Sequence, residues 1–231
     1  MKSNLLSAIP GLVHGFGTLS EPVPEALAPA WEKKPEWHQV HGVRAAEVLY
    51  ANQKLGDCDA VYSAAPGIPV AIQTADCVPI LLARRDGRAV AAVHAGWRGT
   101  KSRILRELWK QLSVSGERPE DWVAAIGPAI GPCCYKVSPE LAAEFAAEFS
   151  SFGKAVAVPK PEILDLPAIN VAELRAIGIP KIDLIRSCTF CATSEDGSPR
   201  SHSYRREKIR TRQYSGLMIA PPRVPFSADT F

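Results

Sequence analysis

A cysteine and a histidine, residue types that bind metals or act in nucleophilic catalysis, occur on either side of a β-hairpin signal. The signal is the dipeptide Asp86-Gly87, which is typical of a two-residue hairpin turn. Apolar, partly β-branched runs flank this turn at 78–83 and 89–93. In the resulting register His94 lies opposite Pro79, and Cys77 becomes its diagonal neighbour on the same face. Such neighbours lie about 7–8 Å apart, so one metal ion bonded at about 2.3 Å to sulfur and about 2.0 Å to nitrogen would bridge Cys77 and His94.

The residues after this hairpin predict a helix that begins beside the cysteine and the histidine. Gly96 and Gly99 bracket a Trp-Arg pair, and Thr100 is placed to cap a helix from about residue 99 to residue 112. The apolar stripe of this helix consists of Ile104, Leu105, Leu108, Trp109 and Leu112. We therefore expect the cysteine and the histidine to lie where a strand turns into a helix.

A third metal ligand is available in the segment EWHQVHG, which carries His38 and His41. In an extended segment Trp37, Gln39 and His41 share one face, whereas His38 points the other way. Either histidine would complete a set of two nitrogens and one sulfur with the fourth position open, as in catalytic zinc sites. Zinc held in this way lowers the pKa of a bound water to about 7, or polarises a substrate oxygen.

The composition is that of an ordinary globular protein. The chain has 231 residues, 46% hydrophobic content and a net charge of +3, which is too small to indicate nucleic acid or an anionic membrane as a partner. No apolar run has the length of a membrane span, so we expect a cytoplasmic protein. Six cysteines in strand-like surroundings are too few for a disulfide framework and are interpreted as thiols, metal ligands or nucleophiles.

Helices and strands follow one another along the rest of the chain without a linker or repeat. Ser138 and Pro139 predict the start of a helix, as cap and first-turn proline, and Gly178 predicts the end of another that begins near Asp165. Further strands are predicted at 122–126, 182–187 and 216–220. The predicted organisation is a single α+β domain over residues 1–231, with mixed β-sheets and flanking helices.

Two further cysteine patterns carry a weaker prediction. Cys188 and Cys191 form a CxxC, which is half of a zinc site or a redox pair, but no second CxxC accompanies it. Cys133 and Cys134 are adjacent, which is not the spacing of a ligand pair. We therefore do not favour a metal or redox role for the CxxC.

An arginine cluster follows the CxxC. Arg205, Arg206, Arg210 and Arg212 lie close to His202 and Tyr204 in the sequence. Guanidinium groups bind phosphate or carboxylate in a bidentate manner. In an extended segment Arg205 and Arg206 face opposite sides, so only part of the cluster would reach one site. For Arg210 a solvated position is the preferred interpretation.

The motifs TADCVPILL, HAGWRG, IGPAIGPCCYKV and SYRRE, together with HGFGT and QVHG, cover nearly the whole chain. With these motifs the chain resembles the YfiH family, also called laccase-domain or polyphenol-oxidase-like proteins and described as purine nucleoside phosphorylases. The resemblance implies that His41, Cys77 and His94 bind zinc together, which selects His41 over His38. It also implies a compact α/β sandwich shared with a toxin deamidase that uses a cysteine and a histidine.

The activity implied by the resemblance is phosphorolysis of adenosine, inosine and methylthioadenosine to the base and the sugar 1-phosphate, with adenosine deamination in addition. The expected partners are a nucleoside and phosphate, and the expected state is a monomer or weak homodimer. Arg98 and Arg206 are the phosphate candidates, and Asp76 is a candidate general acid or base. On an extended strand the side chain of Asp76 would point away from that of Cys77, which weakens this role.

Three other functions fit parts of the sequence. A copper-dependent polyphenol oxidase needs several copper ions, which five histidines cannot easily bind, and only Met1 and Met218 are available as axial methionines. A metal-free cysteine hydrolase would use Cys77 activated by His94. A binding protein without turnover would use the zinc for structure alone.

Overall fold

The computed structural model describes residues 1–222. The predicted domain over residues 1–231 therefore extends into nine positions, 223–231, that lie outside the described residues. Within the described part, no helix is long and apolar enough to cross a membrane.

Eleven strands are formed by the described residues. They are β1 Leu12–Phe16, β2 Glu36–His38, β3 Ala45–Glu47, β4 Lys54–Asp57, β5 Ala60–Ser63, β6 Val70–Thr74, β7 Val78–Arg84, β8 Val90–Ala95, β9 Trp122–Ile126, β10 Lys181–Leu184 and β11 Gln213–Ile219. The α-helices are α1 Asn4–Ser7, α2 Trp97–Lys101, α3 Ile104–Val114, α4 Pro139–Glu148, α5 Lys154–Ala157, α6 Leu166–Ile177 and α7 Tyr204–Glu207. Shorter 3-10 helices occupy Glu25–Lys33, Pro119–Asp121 and Ser150–Phe152.

The centre of the fold is a six-stranded sheet with the strand order β10-β9-β7-β8-β5-β3. The pairs β10 with β9 and β3 with β5 are parallel, and the other neighbours are antiparallel. A three-stranded antiparallel sheet, β1-β11-β6, and a parallel pair, β2-β4, complete the strands. Mixed sheets with helices confirm the predicted α+β class.

Both faces of the six-stranded sheet are buried, because alternate residues of each strand enter different hydrophobic clusters. In β7, Leu82 packs with residues of α3, α4 and α6, whereas Leu81 packs with residues of the three-stranded sheet. The layers are therefore helices, large sheet and small sheet. This explains why the strands of the large sheet read as continuous apolar runs rather than as alternating ones.

The predicted hairpin is confirmed in its turn and in its register. β7 and β8 are antiparallel, with Pro79 opposite His94 and Ala83 opposite Val90. Gly87 has φ 74, a left-handed value that a glycine adopts without steric cost. β7 ends one residue later than predicted, at Arg84. β8 begins one residue later than predicted, at Val90, and ends two residues later, at Ala95.

The predicted helix starts at Ser138 and Asp165 are also confirmed. The Ser138 hydroxyl accepts a hydrogen bond from the backbone N–H of Leu141, and the Asp165 carboxylate accepts one from that of Ala168. Gly178 ends α6 with φ 109.

The prediction that Thr100 caps one helix over residues 99–112 is wrong. Two helices occur here, and Gly96 is the N-cap of α2. The chain breaks at Arg103, which has φ 61, before α3 begins. Thr100 lies inside α2, where its hydroxyl accepts a hydrogen bond of 3.1 Å from the Asn170 amide of α6. The predicted apolar stripe of α3 is nevertheless buried in the core, with Trp109 partly exposed.

Candidate metal centre

One end of the large sheet brings distant parts of the chain together. β7 and β8 are antiparallel, so the residues before β7 and those at the end of β8 lie at the same end. β5 is antiparallel to β8 and β3 is parallel to β5, so the segments that precede both of these strands reach that end too. His41, Asp59, Cys77 and His94 all lie there.

Three metal-binding side chains meet at this end of the sheet. The ligand atoms of His41, Cys77 and His94 lie within 4.8 Å of one another. Cys77 Sγ is 3.9 Å from His41 Nε2, and the two imidazole rings are arranged edge to face with their centroids 4.8 Å apart. This is the combination expected from the sequence, two nitrogens and one sulfur.

The backbone at His41 differs from the extended segment that the sequence predicts. β2 ends at His38, and His41 has φ 61. This left-handed residue turns the chain, so that the His41 ring lies beside Cys77. His38 is outside the group: its side chain is 84% exposed and its Nδ1 lies 3.8 Å from an Asp57 carboxylate oxygen.

Asp59 holds both histidines in place. Its Oδ1 accepts a hydrogen bond of 2.7 Å from His94 Nδ1 and one of 2.9 Å from the His41 backbone N–H. Its Oδ2 accepts from the N–H groups of Gly42, at 2.7 Å, and Val40, at 3.2 Å. Since an ionised carboxylate only accepts hydrogen bonds, His94 carries its proton on Nδ1, which leaves Nε2 free to bind a metal or to face Cys77.

The charges of this group are strongly coupled. Although burial raises the pKa of a thiol, the charge of His94 and hydrogen bonds from His41 and His94 lower the pKa of Cys77 to about 6. Burial lowers the pKa of an imidazole, but the Cys77 thiolate and Asp59 raise that of His94 to about 9. Burial also opposes ionisation of Asp59, yet the His94 and backbone hydrogen bonds hold its pKa below the usual value. The site therefore favours a thiolate at neutral pH, which is the form that binds metals or attacks electrophiles.

The absence of a side chain at Gly96 makes room for the ligands. A Cβ atom at this position would lie 3.0 Å from Cys77 Sγ and 3.0 Å from His41 Cδ2. Its φ of −71° is accessible to any residue, so the requirement for glycine is one of space and not of backbone conformation.

Asp76, the candidate acid or base, has both carboxylate oxygens engaged. Oδ1 accepts a hydrogen bond of 2.6 Å from the Thr189 hydroxyl, and Oδ2 accepts one of 2.7 Å from the Arg205 backbone N–H. Asp76 has φ 88, so the segment before β7 is turned here and is not extended as the sequence suggested. These bonds join the Cys77 loop to the segment after β10 and to α7.

The two phosphate candidates have different surroundings. The Arg206 guanidinium donates to the carbonyl oxygens of Thr189, Phe190 and Ser201 and to the Glu207 carboxylate. Arg98, by contrast, is exposed in the first turn of α2, with its guanidinium carbon 4.7 Å from the centre of the Trp97 ring.

The arginine cluster is not extended, which corrects the prediction of opposite faces. Tyr204–Glu207 form one helical turn, α7, capped by the Ser203 hydroxyl. Arg205 donates to the Lys136 carbonyl and lies over the Tyr135 ring at 5.0 Å. Arg212 donates to the Thr211 carbonyl, and its guanidinium lies 5.9 Å from the Tyr204 ring.

Two residues of the site were not found from the sequence. Asp59 precedes a buried strand, and its only signal is a carboxylate next to apolar residues. Tyr135 follows the adjacent cysteines, and burial together with the nearby Cys77 charge raises its pKa to about 12. Its phenol therefore remains protonated beside the metal-binding group.

A second group of metal-binding side chains consists of Cys133, Cys134, Cys188 and Cys191, whose sulfur atoms lie within 4.8 Å of one another. The CxxC therefore has neighbours that the sequence pattern did not reveal, because the fold brings the adjacent pair to it.

Comparison with known proteins agrees with these motifs. The family model described as "Multi-copper polyphenol oxidoreductase laccase" matches residues 25–220. The chain is 35% identical over 191 residues to the purine nucleoside phosphorylase YfiH of Shigella flexneri. The matched region covers 80% of this chain and 74% of that protein. It is also 35% identical over 162 residues to a purine nucleoside phosphorylase of Aquifex aeolicus, and this matched region covers 70% of each chain.

Among solved structures, YlmD from Geobacillus stearothermophilus superimposes with a TM-score of 0.75 at 25% identity, over 92% of this chain and 93% of that one. The Bacillus licheniformis protein YfiH gives a TM-score of 0.71 at 26% identity, over 81% and 74% of the two chains. These matches confirm the resemblance inferred from the motifs. The chain therefore belongs to the YfiH family of laccase-type polyphenol oxidoreductase proteins.

Proposed function

We propose that this protein is a zinc-dependent purine nucleoside phosphorylase. Its substrates are adenosine, inosine and methylthioadenosine, which phosphate cleaves to the free base and ribose or methylthioribose 1-phosphate, and adenosine deamination is a second activity. The observation that carries the proposal is the meeting of His41, Cys77 and His94 in a chain whose relatives are named purine nucleoside phosphorylases. The expected partners are small molecules, with the protein acting as a monomer or weak homodimer.

The donor set fits zinc. Two imidazole nitrogens and one thiolate are ligands that zinc accepts, and three protein ligands leave a fourth position for a substrate or water. His94 has the hydrogen-bonded second nitrogen that orients a metal-binding histidine. A bound zinc supplies Lewis acidity, which polarises oxygen atoms of a substrate. Copper in place of zinc at this centre, shown by metal analysis, would instead favour the polyphenol oxidase.

The protein groups around this centre have separable tasks. Asp59 fixes the tautomer and direction of His94 and the turn that presents His41. The exposed Arg98, two residues after Gly96 in α2, is the better candidate to hold phosphate. The side chains of Arg206 and Asp76 are both hydrogen-bonded to other groups of the protein. We therefore assign them to positioning the loop that contains Thr189.

The test is to incubate the zinc-loaded protein with adenosine, with and without phosphate, and to separate adenine, inosine and hypoxanthine by chromatography. Adenine that forms only with phosphate, and not in Cys77→Ala, is the expected result. Inosine formed without phosphate would demonstrate deamination. Cys58→Ala is the matched control, because Cys58 is buried in the hydrophobic cluster beside the small sheet and belongs to neither group of metal-binding side chains among the described residues. The absence of both products in the zinc-loaded wild type would overturn the proposal.

A cysteine hydrolase is the second candidate, and a specific geometry favours it. Asp59 orients His94, which in turn faces Cys77, in the order of a catalytic triad. The two candidates differ in the state of the thiol. Rapid alkylation of Cys77 by iodoacetamide in zinc-replete protein would favour the hydrolase, whereas protection that chelation removes would favour the metal-dependent enzyme.

A further inference from the structure

The four-cysteine group lies outside the centre described above. Cys133 and Cys191 are exposed, Cys134 and Cys188 are partly buried, and all four are free thiols. The sulfur atoms of Cys133 and Cys191 are 3.6 Å apart, and no pair in the group is separated by more than 4.8 Å.

The topology of the large sheet explains why they converge. β9 and β10 are parallel neighbours, so the segments that leave their carboxyl ends emerge side by side. The first segment carries Cys133 and Cys134, and the second carries Cys188 and Cys191. A bridge between Ala129 and Cys188 continues the parallel pairing up to the first cysteine of the CxxC.

A turn allows two adjacent cysteines to point at the same place. The backbone N–H groups of Cys134 and Tyr135 both donate to the Gly131 carbonyl, each at 3.0 Å. In an extended strand successive side chains point to opposite faces, but in such a turn they do not. The adjacency of Cys133 and Cys134 is therefore compatible with shared ligation.

The distances match a tetrathiolate. In a tetrahedral site with zinc–sulfur bonds of about 2.3 Å, the sulfur atoms lie about 3.8 Å from one another. A backbone N–H group also points at one sulfur, since Gly131 donates to Cys188 Sγ at 3.3 Å. Such donors partly offset the negative charge of a thiolate.

We propose that Cys133, Cys134, Cys188 and Cys191 form a second metal site, a closed structural site for one Zn²⁺ ion. Each thiol loses its proton on binding, so one Zn²⁺ replaces four H⁺ and the four-sulfur site carries a charge of about −2. Four protein ligands leave no position for a substrate, which distinguishes this site from the His-Cys-His centre.

This zinc would stabilise one wall of the first centre. Cys134 precedes Tyr135, and Cys188 precedes Thr189, whose hydroxyl donates to Asp76 beside Cys77. The metal would thus tie together the two loops that contact the Cys77 segment. The site itself does not depend on the proposed activity, because none of its ligands is shared with the first centre.

The decisive measurement is metal content of the full chain purified without chelator. The Cys133→Ala/Cys191→Ala double variant is expected to contain about one zinc per chain fewer than the wild type, and Cys77→Ala to lose the other. Cys58→Ala is the control and should retain the wild-type content, since burial raises the pKa of this thiol to about 11 and it lies in the core. Replacing the two exposed cysteines removes little packing.

A measurement on the wild type keeps the test independent of variant folding. Mass spectrometry under native and then denaturing conditions should show loss of zinc with all six thiols reduced, and cobalt added to the metal-free protein should give the absorption of a tetrathiolate. Equal zinc in the double variant and the wild type would overturn the proposal. So would iron in place of zinc, or a chain two hydrogens lighter with Cys133 and Cys191 joined as a disulfide.

Discussion

At the scale of single residues, Asp59 shows how one buried carboxylate organises a site. Its two oxygens accept four hydrogen bonds, one from the His94 ring and three from the backbone of residues 40–42. Asparagine has the same shape but only one side-chain oxygen, and its NH₂ group, itself a donor, would face other hydrogen-bond donors. Asp59 is thus a positioning residue for two ligands at once.

Asp59→Asn is expected to weaken zinc binding at the His-Cys-His centre by about 10- to 100-fold, the usual effect of removing such a partner. Competition with a chromophoric chelator measures the affinity. Asp57→Asn is the matched control, because that carboxylate is 70% exposed and contacts only His38 among the histidines. Equal affinities of Asp59→Asn and the wild type would show that the carboxylate does not position the ligands.

His14 makes stability depend on pH. It is buried, and its Nε2 accepts a hydrogen bond of 3.0 Å from the Ser3 backbone N–H. Burial, Lys2 and the Met1 ammonium lower its pKa below 6.5, against the opposing effect of the Asp183 charge. The unfolded chain therefore takes up a proton more readily, and stability present above pH 6.5 is lost as the pH falls towards the folded-state pKa.

The expected result is a smaller loss of stability between pH 7.5 and pH 5 in His14→Gln, whose side-chain oxygen can still accept from Ser3. Urea unfolding at both pH values measures the difference. The exposed His38, changed to Gln, is the control and should keep the wild-type pH dependence. The same pH dependence in all three proteins would mean that His14 is not the responsible group.

At the scale of elements, local signals in the sequence predicted local structure. Asp86-Gly87 predicted the hairpin, Ser138-Pro139 the start of α4, and Gly178 the end of α6, because each acts through its own backbone. The break at Arg103 was missed, since no glycine or proline marks it and the left-handed residue is held by tertiary contacts, including Glu173 and Glu148. The turn at His41 was missed for the same reason: Asp59 stabilises it from another part of the chain.

Two glycine substitutions distinguish a steric clash with the metal ligands from backbone strain. Gly96→Ala keeps an allowed φ but places a methyl group against Cys77 and His41, so zinc affinity should fall by about tenfold or more with little change in unfolding free energy. Gly116→Ala is the opposite case, because Gly116 has φ 82 and nothing within 4 Å of an added Cβ. It should cost about 1 kcal/mol of stability and leave zinc binding unchanged. If Gly96→Ala bound zinc as tightly as the wild type, the prediction would be wrong, because Cys77 and His41 would have moved to accommodate the methyl group.

At the scale of the whole molecule, one end of the large sheet collects both groups of metal-binding side chains. His94 and Cys77 were predictable as a pair because a hairpin joins them. The convergence of Cys133 and Cys134 with Cys188 and Cys191 was not, because it depends on β9 and β10 being neighbours, and strand order is a property of the complete fold. The motifs of the family supplied His41, which periodicity alone left open against His38.

The same architecture predicts how the protein responds to loss of metal. Both faces of the large sheet are covered by core residues such as Leu81 and Leu82, and the metal-binding groups lie only at its end. Chelation should therefore abolish the proposed phosphorolysis reversibly. It should also lower Tm, since ligands that bind only the folded state stabilise it, while the far-UV circular dichroism at 25 °C stays unchanged. Circular dichroism, thermal unfolding and activity before and after zinc is returned provide the test. Leu82→Ala, expected to cost about 2–5 kcal/mol, is the contrasting variant in which the fold weakens but zinc content persists. A chelated protein without secondary structure would instead mean that the metal sites, and not the two hydrophobic clusters, determine folding.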